Sequence, residues 1–79
     1  MYNYFMIIGY VETFNGKTLS VKVIREFGSD FDIIPINIDW YKYAEDLKLG
    51  KGDKVSIKGR VLAKANGELE LIAERIMTM

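Results

Sequence analysis

An all-β barrel with one helix, its elements ordered β-β-β-α-β-β over residues 1–79 as one domain, is the fold class this sequence predicts. Three observations support it. Two alternating apolar stretches, Met6-Ile7-Ile8-Gly9-Tyr10-Val11 and Val55-Ser56-Ile57-Lys58-Gly59-Arg60-Val61, each put a glycine at an inward position. Glycine inside a strand marks a sharp bend or a close backbone approach, as in a small closed barrel. Asn15-Gly16 and Asn66-Gly67 separate alternating runs, and Asn-Gly is the strongest short-range hairpin signal. Between the third and fourth runs, Trp40 to Leu49 reads with helical spacing.

The first strand, from about Tyr4 to Glu12, is apolar on both faces: Phe5, Ile7, Gly9 and Val11 on one, Tyr4, Met6, Ile8 and Tyr10 on the other. Such a strand is usually covered on both sides. The second strand, Thr18 to Glu26, points Leu19, Val21 and Val23 inward and Ser20, Lys22 and Ile24 outward. Phe27-Gly28-Ser29-Asp30 reads as a turn. Phe31 to Ile38 forms the third strand, with Ile34, Ile36 and Ile38 on one face; Pro35 lacks a ladder donor and marks an edge or an irregularity. Asp39 is placed to cap a helix over Trp40 to Leu49, whose stripe is Trp40, Ala44 and Leu47, flanked by Tyr43, with Glu45 and Asp46 inside it. Gly50 stands where a left-handed residue would end that helix. In the fourth strand, Lys54 to Lys64, Val55, Ile57, Gly59, Val61 and Ala63 point inward, while Lys54, Ser56, Lys58, Arg60 and Lys64 point outward. The fifth, Glu68 to Ile76, is expected to bury Leu69, Leu71 and Ala73. Five short strands with a helix between the third and fourth is the topology of the five-stranded OB-fold barrel, the oligonucleotide/oligosaccharide-binding fold.

Composition excludes more than it names. With 49% hydrophobic and 13% aromatic residues, the chain holds more apolar material than so short a domain easily hides, so a homo-oligomer, a dimer or tetramer, is expected. There is no cysteine and no histidine, which removes disulfides, thiolate sites, the commonest general base and the commonest metal ligand. Neither a Gly-x-Ser-x-Gly motif nor a phosphate-binding loop occurs, and Gly50-Lys51-Gly52 is too short to cradle a nucleotide. Enzyme activity and cofactors are not expected. Asp30, Asp32 and Asp39 could be imagined as metal ligands, but Asp39 reads more simply as a cap and Asp30 as a turn residue, so no metal is expected either. Eleven basic and eleven acidic side chains cancel, so any polyanion site must come from segregating charge onto one face. Met1 to Ile8 lacks a basic leader region and Glu12 interrupts the apolar run, so neither a signal peptide nor a membrane span is expected, and the expected compartment is the cytoplasm.

The order and spacing of several segments resemble a known family. Trp40-Tyr41-Lys42-Tyr43-Ala44-Glu45, followed by Leu49-Gly50-Lys51-Gly52-Asp53-Lys54-Val55-Ser56-Ile57-Lys58-Gly59-Arg60-Val61, is similar to the bacterial-type single-stranded DNA-binding proteins. In that family an aromatic ends the third strand, and a Lys-Gly-(Asp/Ser)-x-Val-x-(Val/Ile)-x-Gly-Arg run opens the fourth. Asn3 to Val11 resembles its first strand, with Tyr10 in place of the usual Arg, and Glu68 to Ile76 its last. The loop Lys64-Ala65-Asn66-Gly67 is far shorter than the family's long basic loop, and the acidic-tipped tail is absent, so the likeness is to a short, tail-less member. The resemblance implies single-stranded DNA binding with low sequence specificity, by base stacking and phosphate contacts, in replication, recombination or repair.

Candidate residues follow from both readings. Trp40 matches the family aromatic on which a base stacks; its alternative use is to pack, as the first residue of an amphipathic helix, on the barrel end. Tyr10, Phe27 and Phe31 lie on the outer face or in the loop joining strands two and three, which line the groove of OB barrels. Phe31 could instead be an inward residue of its strand. Lys22, Arg25, Lys42, Lys58 and Arg60 would supply phosphate contacts, Lys42 matching a basic residue of the family. Against this, Lys54, Lys58, Arg60 and Lys64 could pair across the hairpin with Glu68, Glu70 and Glu74, leaving Lys22, Arg25 and Lys42 as the stronger candidates. The stripe Tyr4, Met6 and Ile8 is too apolar for open water and is assigned to the oligomer interface, as the resemblance implies for the first strand. A protein–protein assembly module and an RNA-binding OB barrel remain open beside the DNA reading.

Overall fold

A computed structural model describes residues 3–79, the side chain of Glu45 excepted. Met1 and Tyr2, at the start of the segment expected to lack a leader, and the Glu45 side chain placed inside the expected helix lie outside the described residues. The strands are β1 (Tyr4–Phe14), β2 (Thr18–Ile24), β3 (Phe31–Asn37), β4 (Lys54–Ala63) and β5 (Leu69–Thr78). They close into a barrel in the order β1-β2-β3-β5-β4. Neighbours are antiparallel except β3 and β5, which run parallel and meet at one pair, Asn37 opposite Ile72. Across that seam Asn37 Nδ2 donates to Glu70 Oε1 at 2.8 Å. Pro35 is tolerated because β3 has a ladder partner only in β2 along most of its length.

Alternation decides which side chains fill the barrel. Leu19, Val21, Ile36, Ile38, Val55 and Ile57 are wholly buried, from the inward positions expected of β2, β3 and β4. Each such side chain contributes about 1.5–3 kcal/mol by leaving water. Gly9 and Gly59 serve close approach rather than flexibility. A Cβ on Gly9 would sit 2.6 Å from the Lys22 carbonyl oxygen, and one on Gly59 would overlap that of Ile72. Both hairpins form at the Asn-Gly sites, where Asn15 Oδ1 accepts from the Lys17 and Thr18 N–H groups at 2.9 and 2.8 Å, and Asn66 Oδ1 from Glu68 N–H at 3.0 Å.

Several expectations are corrected. The helix over Trp40 to Leu49 is replaced by successive tight turns, of which only Ala44–Asp46 is a 3-10 helix. The N–H groups of Tyr41, Ala44, Asp46 and Leu47 each bond three residues back, to Ile38, Tyr41, Tyr43 and Ala44. Ile38, Tyr41 and Leu47 pack on the core, and with Ala44 they recur every third residue, the period that i→i+3 turns align on one side. Trp40 falls outside that stripe. Asp39 caps nothing; its own N–H bonds to Asn37 Oδ1 at 2.8 Å. Nor is Gly50 left-handed, that conformation passing to Gly52 (φ +92°) in the turn into β4.

A further correction concerns β5, where the ladder slips at Glu74: Lys58 lies opposite Arg75, but Gly59 opposite Ala73. A bulge of this kind switches which positions face inward. Ile76 therefore joins Ala73 in the core, whereas Leu69, expected inside, is 69% exposed. Leu69 pairs with Ala63 at the hairpin tip, and Ala63, also expected inside, is exposed too, because this tip runs past the end of the core. Strand ends elsewhere shift by one or two residues: β1 continues to Phe14, β2 stops at Ile24, β3 at Asn37, β4 at Ala63, and β5 runs on to Thr78.

Candidate nucleic-acid interface

The turns after β3 place Trp40 over the outer face of β4 and β5. Tyr41 is drawn toward the core by the three-residue stripe, so its neighbour Trp40 is turned outward and is 77% exposed. Trp40, Lys42, Tyr43, Arg60 and Ile72 line a shallow hollow of about 310 Å³. Leu62 and Glu70 continue it along the hairpin. The ring of Tyr43 lies edge-on to Tyr41, with centroids 5.9 Å apart, and Lys42 Nζ lies 5.6 Å from the Tyr43 centroid. Arg60 is not a free cation there, since its Nε is 3.3 Å from Glu74 Oε2. That pair is one of the cross-hairpin pairings weighed from the sequence. Glu70 is instead engaged by Asn37.

A second cluster stands on β2 and β3. Tyr10, Lys22 and Ile33 occupy adjoining outward positions of three strands, and Ile24 lies opposite Phe31. Lys22 Nζ sits 4.3 Å from the Phe31 centroid, a cation–π distance. Phe31 is thus outward, not a core residue of its strand. Beyond them the turn presents Phe27, 86% exposed. Its base is clasped by Arg25, whose N–H bonds the Asp30 carbonyl at 2.9 Å. The Arg25 guanidinium also forks onto Asp32, Nε to Oδ2 at 3.1 Å and Nη2 to Oδ1 at 2.8 Å. That hydrogen bond, aided by the guanidinium's charge, holds the Asp32 carboxyl below the ordinary aspartate range and raises Arg25 in turn. Arg25, expected to meet phosphates, is therefore engaged by Asp32. Among the described residues no three carboxylates gather as metal ligands would.

The two clusters are joined by β3. Its outward positions Phe31, Ile33, Pro35 and Asn37 run from the Phe27 turn to the pair with Ile72, which borders Trp40. Six residue steps of strand span about 20 Å. Lys58 lies elsewhere, opposite Met6 on one side and Arg75 on the other, on the outer face shared by β1, β4 and β5 with Tyr4 and Ile8. Ile33 and Leu62, both exposed, were missed as site residues from the sequence. The phase fixed by Ile34 and Ile36 carried the signal for Ile33, and Leu62 is one outward step beyond Arg60.

Fold and strand order together define an OB barrel of the kind found in single-stranded DNA-binding proteins. The mitochondrial single-stranded DNA-binding protein Rim1 of S. cerevisiae superposes with a TM-score of 0.72 at 16% identity, covering 100% of this chain and 96% of that one. The N-terminal domain of PriB from Thermoanaerobacter tencongensis, a dimeric structure, gives 0.69 at 21% identity over 98% and 96%. The second single-stranded DNA-binding protein, SSBb, of Mycobacterium smegmatis gives 0.67 at 16% identity over 99% and 89%. At these identities the likeness is one of fold. No protein-family model matches the chain, and no curated protein sequence does. Among the described residues no helix is long and apolar enough to cross a membrane.

Proposed function

We infer that this barrel binds single-stranded DNA, with little sequence preference, along the strip that runs from Phe27 through Phe31 and Ile33 to Trp40. The observation that carries the reading is the outward Trp40 beside Lys42 above the β4–β5 hollow. An indole held in water by the packing of its neighbour has surface to offer a base, and every base has a face that can stack on it. Phe31 with Lys22 above it, and Phe27 at the turn, supply further aromatic surface. Lys22 and Lys42 are the cations of the strip with no ion pair among the described residues, so phosphate contacts are few, binding is modest and its salt dependence is shallow. Replication, recombination or repair is the process we assign to such an activity.

The same barrel is proposed to act as a homo-oligomer through β1. Val61 N–H bonds the Asn3 carbonyl and Val11 N–H that of Asp53, so odd-numbered residues of β1 direct their main chain toward β4. Met6 and Ile8 direct theirs the other way, where pairing with β2 begins only at Tyr10. An apolar strand with such an edge is a template for a second strand. Pairing with the β1 of another copy would use this edge and set Tyr4, Met6 and Ile8 beside their counterparts along the seam.

Fluorescence of Trp40, the sole tryptophan, provides the test. Oligo-dT should quench it at low salt and release it as salt rises. Absence of both quenching and a mobility shift at micromolar DNA would sink the reading, and stronger quenching by oligo-U would transfer it to RNA. Sedimentation of Ile8→Lys checks the oligomer, since an unchanged assembly would remove β1 from the interface.

A further inference from the structure

The outer face of β1, β4 and β5 carries a charge pattern that neither DNA binding nor self-pairing explains. Its rows run across the strands as Met6, Lys58, Arg75 and as Ile8, Ser56, Met77, with Tyr10 opposite Lys54 at one end and Tyr4 opposite Arg60 at the other. Lys54, Lys58 and Arg75 are exposed and form no ion pair among the described residues. Glu74, the acid beside them, is held by Arg60. Lys58 and Arg75 stand directly opposite each other on neighbouring strands, and like charges so placed are destabilising. A chain of balanced charge has thus gathered three unneutralised cations onto an apolar face, at a cost to its own stability. Next to them Tyr4, Phe5, Met6, Lys58, Gly59 and Glu74 surround an open hollow of about 410 Å³.

We propose that this face docks an acidic polypeptide segment bearing aliphatic side chains. Carboxylates would meet Lys54, Lys58 and Arg75, and apolar side chains would cover Met6, Ile8 and Met77. The charge pattern selects this occupant over the others. A second copy laid face to face would bring the same three cations and no unengaged acid of this face to meet them, since Glu74 is held by Arg60. Single-stranded DNA would satisfy the cations, but the middle of the face is Met6, Ile8 and Met77, which offer bases no ring. Pairing of β1 with another copy uses the main-chain edge and leaves these side chains on the outer face, so docking and dimerisation are compatible.

The test uses short fluorescein-labelled peptides of alternating Asp and Leu, with Lys-Leu and Asp-Ser peptides of the same length, read by anisotropy on the full chain. The Asp-Leu peptide should bind saturably, and its Kd should rise by about tenfold or more in Lys58→Glu and in Arg75→Glu. Trp40→Ala should leave it unchanged. Both charge variants lie on the exposed face, and a circular dichroism melt verifies that they fold; Met6→Ser supplies a second, charge-neutral loss. Saturable binding of Lys-Leu with equal affinity, or charge variants that bind like the parent, would overturn the proposal. So would equal binding of Asp-Ser, which would leave the apolar stripe without a role. Displacement of the peptide by oligo-dT, together with loss of oligo-dT binding in Lys58→Glu, would give the face to nucleic acid instead.

Discussion

Replacing Gly59 by alanine adds one methyl group, and the barrel has no room for it. The new Cβ would overlap the Ile72 carbonyl oxygen and lie 2.9 Å from both the Ile72 carbonyl carbon and Phe5 Cε1. Phe5 can rotate away, but the Ile72 main chain cannot move without cost, because Ile72 is the residue that pairs with Asn37 to join β5 to β3. Overpacking costs about 1–3 kcal/mol, occasionally more, and a clash with main chain at a closure point belongs at the upper end, about 3 kcal/mol. For a domain of this size that lowers Tm by about 12–24 °C. A core this small supplies only about 3–5 kcal/mol in total, so the variant should stand near the edge of folding. Gly50→Ala is the matched control: its φ is not left-handed, and its Cβ would have only Asp53 Oδ2 within reach, at 3.8 Å. There alanine should stabilise by about 0.4–1 kcal/mol through the unfolded chain. Thermal and urea unfolding, followed by circular dichroism and Trp40 fluorescence, measure both. A Gly59→Ala protein melting within about 4 °C of the parent would refute the close approach of β4 and β5 as the reason for this glycine.

Other perturbations separate the parts of the structure. Trp40→Ala should weaken oligo-dT binding by roughly 5- to 150-fold, the equivalent of one stacked base, while unfolding is nearly unchanged because the ring is exposed; fluorescein-labelled oligo-dT reads the loss. Lys42→Ala should make the salt dependence of that binding shallower by about 0.7 in log–log slope, one phosphate contact on a single strand. Asn37→Ala removes the half-buried hydrogen bond to Glu70 and should cost about 1 kcal/mol in urea unfolding. Asp32 is held below its unfolded value, so its contribution to stability is present above the ordinary aspartate value of about 3.8 and is lost as pH falls through the folded value beneath it. Asp32→Asn should therefore lower stability slightly at neutral pH and flatten the acid limb, the two proteins converging as pH falls below the folded value; an acid limb identical to the parent's would show that the fork to Arg25 does not persist in solution.

Periodicity revealed what rests on periodicity. Two inward glycines, clean alternation in β2 and β4 and two Asn-Gly turns suffice for the barrel, since each feature is local in the chain. The bulge at Glu74 is not local: it arises where β5 must bend past Gly59, and nothing in Glu68 to Ile76 signals the change of phase. Trp40 to Leu49 failed for a different reason. A 3.6-residue stripe through Trp40, Ala44 and Leu47 and a three-residue stripe through Ile38, Tyr41, Ala44 and Leu47 share two members, and only contact with the core decides between them. That decision turns Trp40 outward. That Arg25 has a partner in Asp32 was not legible, because the pair lies across a turn whose register had to be known first. That Lys58 stands between Met6 and Arg75 was not legible either, because strand alternation tells outward from inward but not which flank of a barrel is meant.

The single pair that joins β3 to β5 has a mechanical meaning. Phe31 and Lys22 stand on the β2–β3 side of this seam and the Arg60–Ile72 floor beneath Trp40 on the other, and among the described residues Asn37 is the residue of β3 paired across it. The position of that floor relative to Phe31 is therefore not locked by a hydrogen-bonded ladder as it would be within β1–β4. If the strip binds as proposed, large purines and small pyrimidines could each be seated by a slight breathing of the seam, which would add the wall of the barrel to the faces of its rings as a source of sequence tolerance.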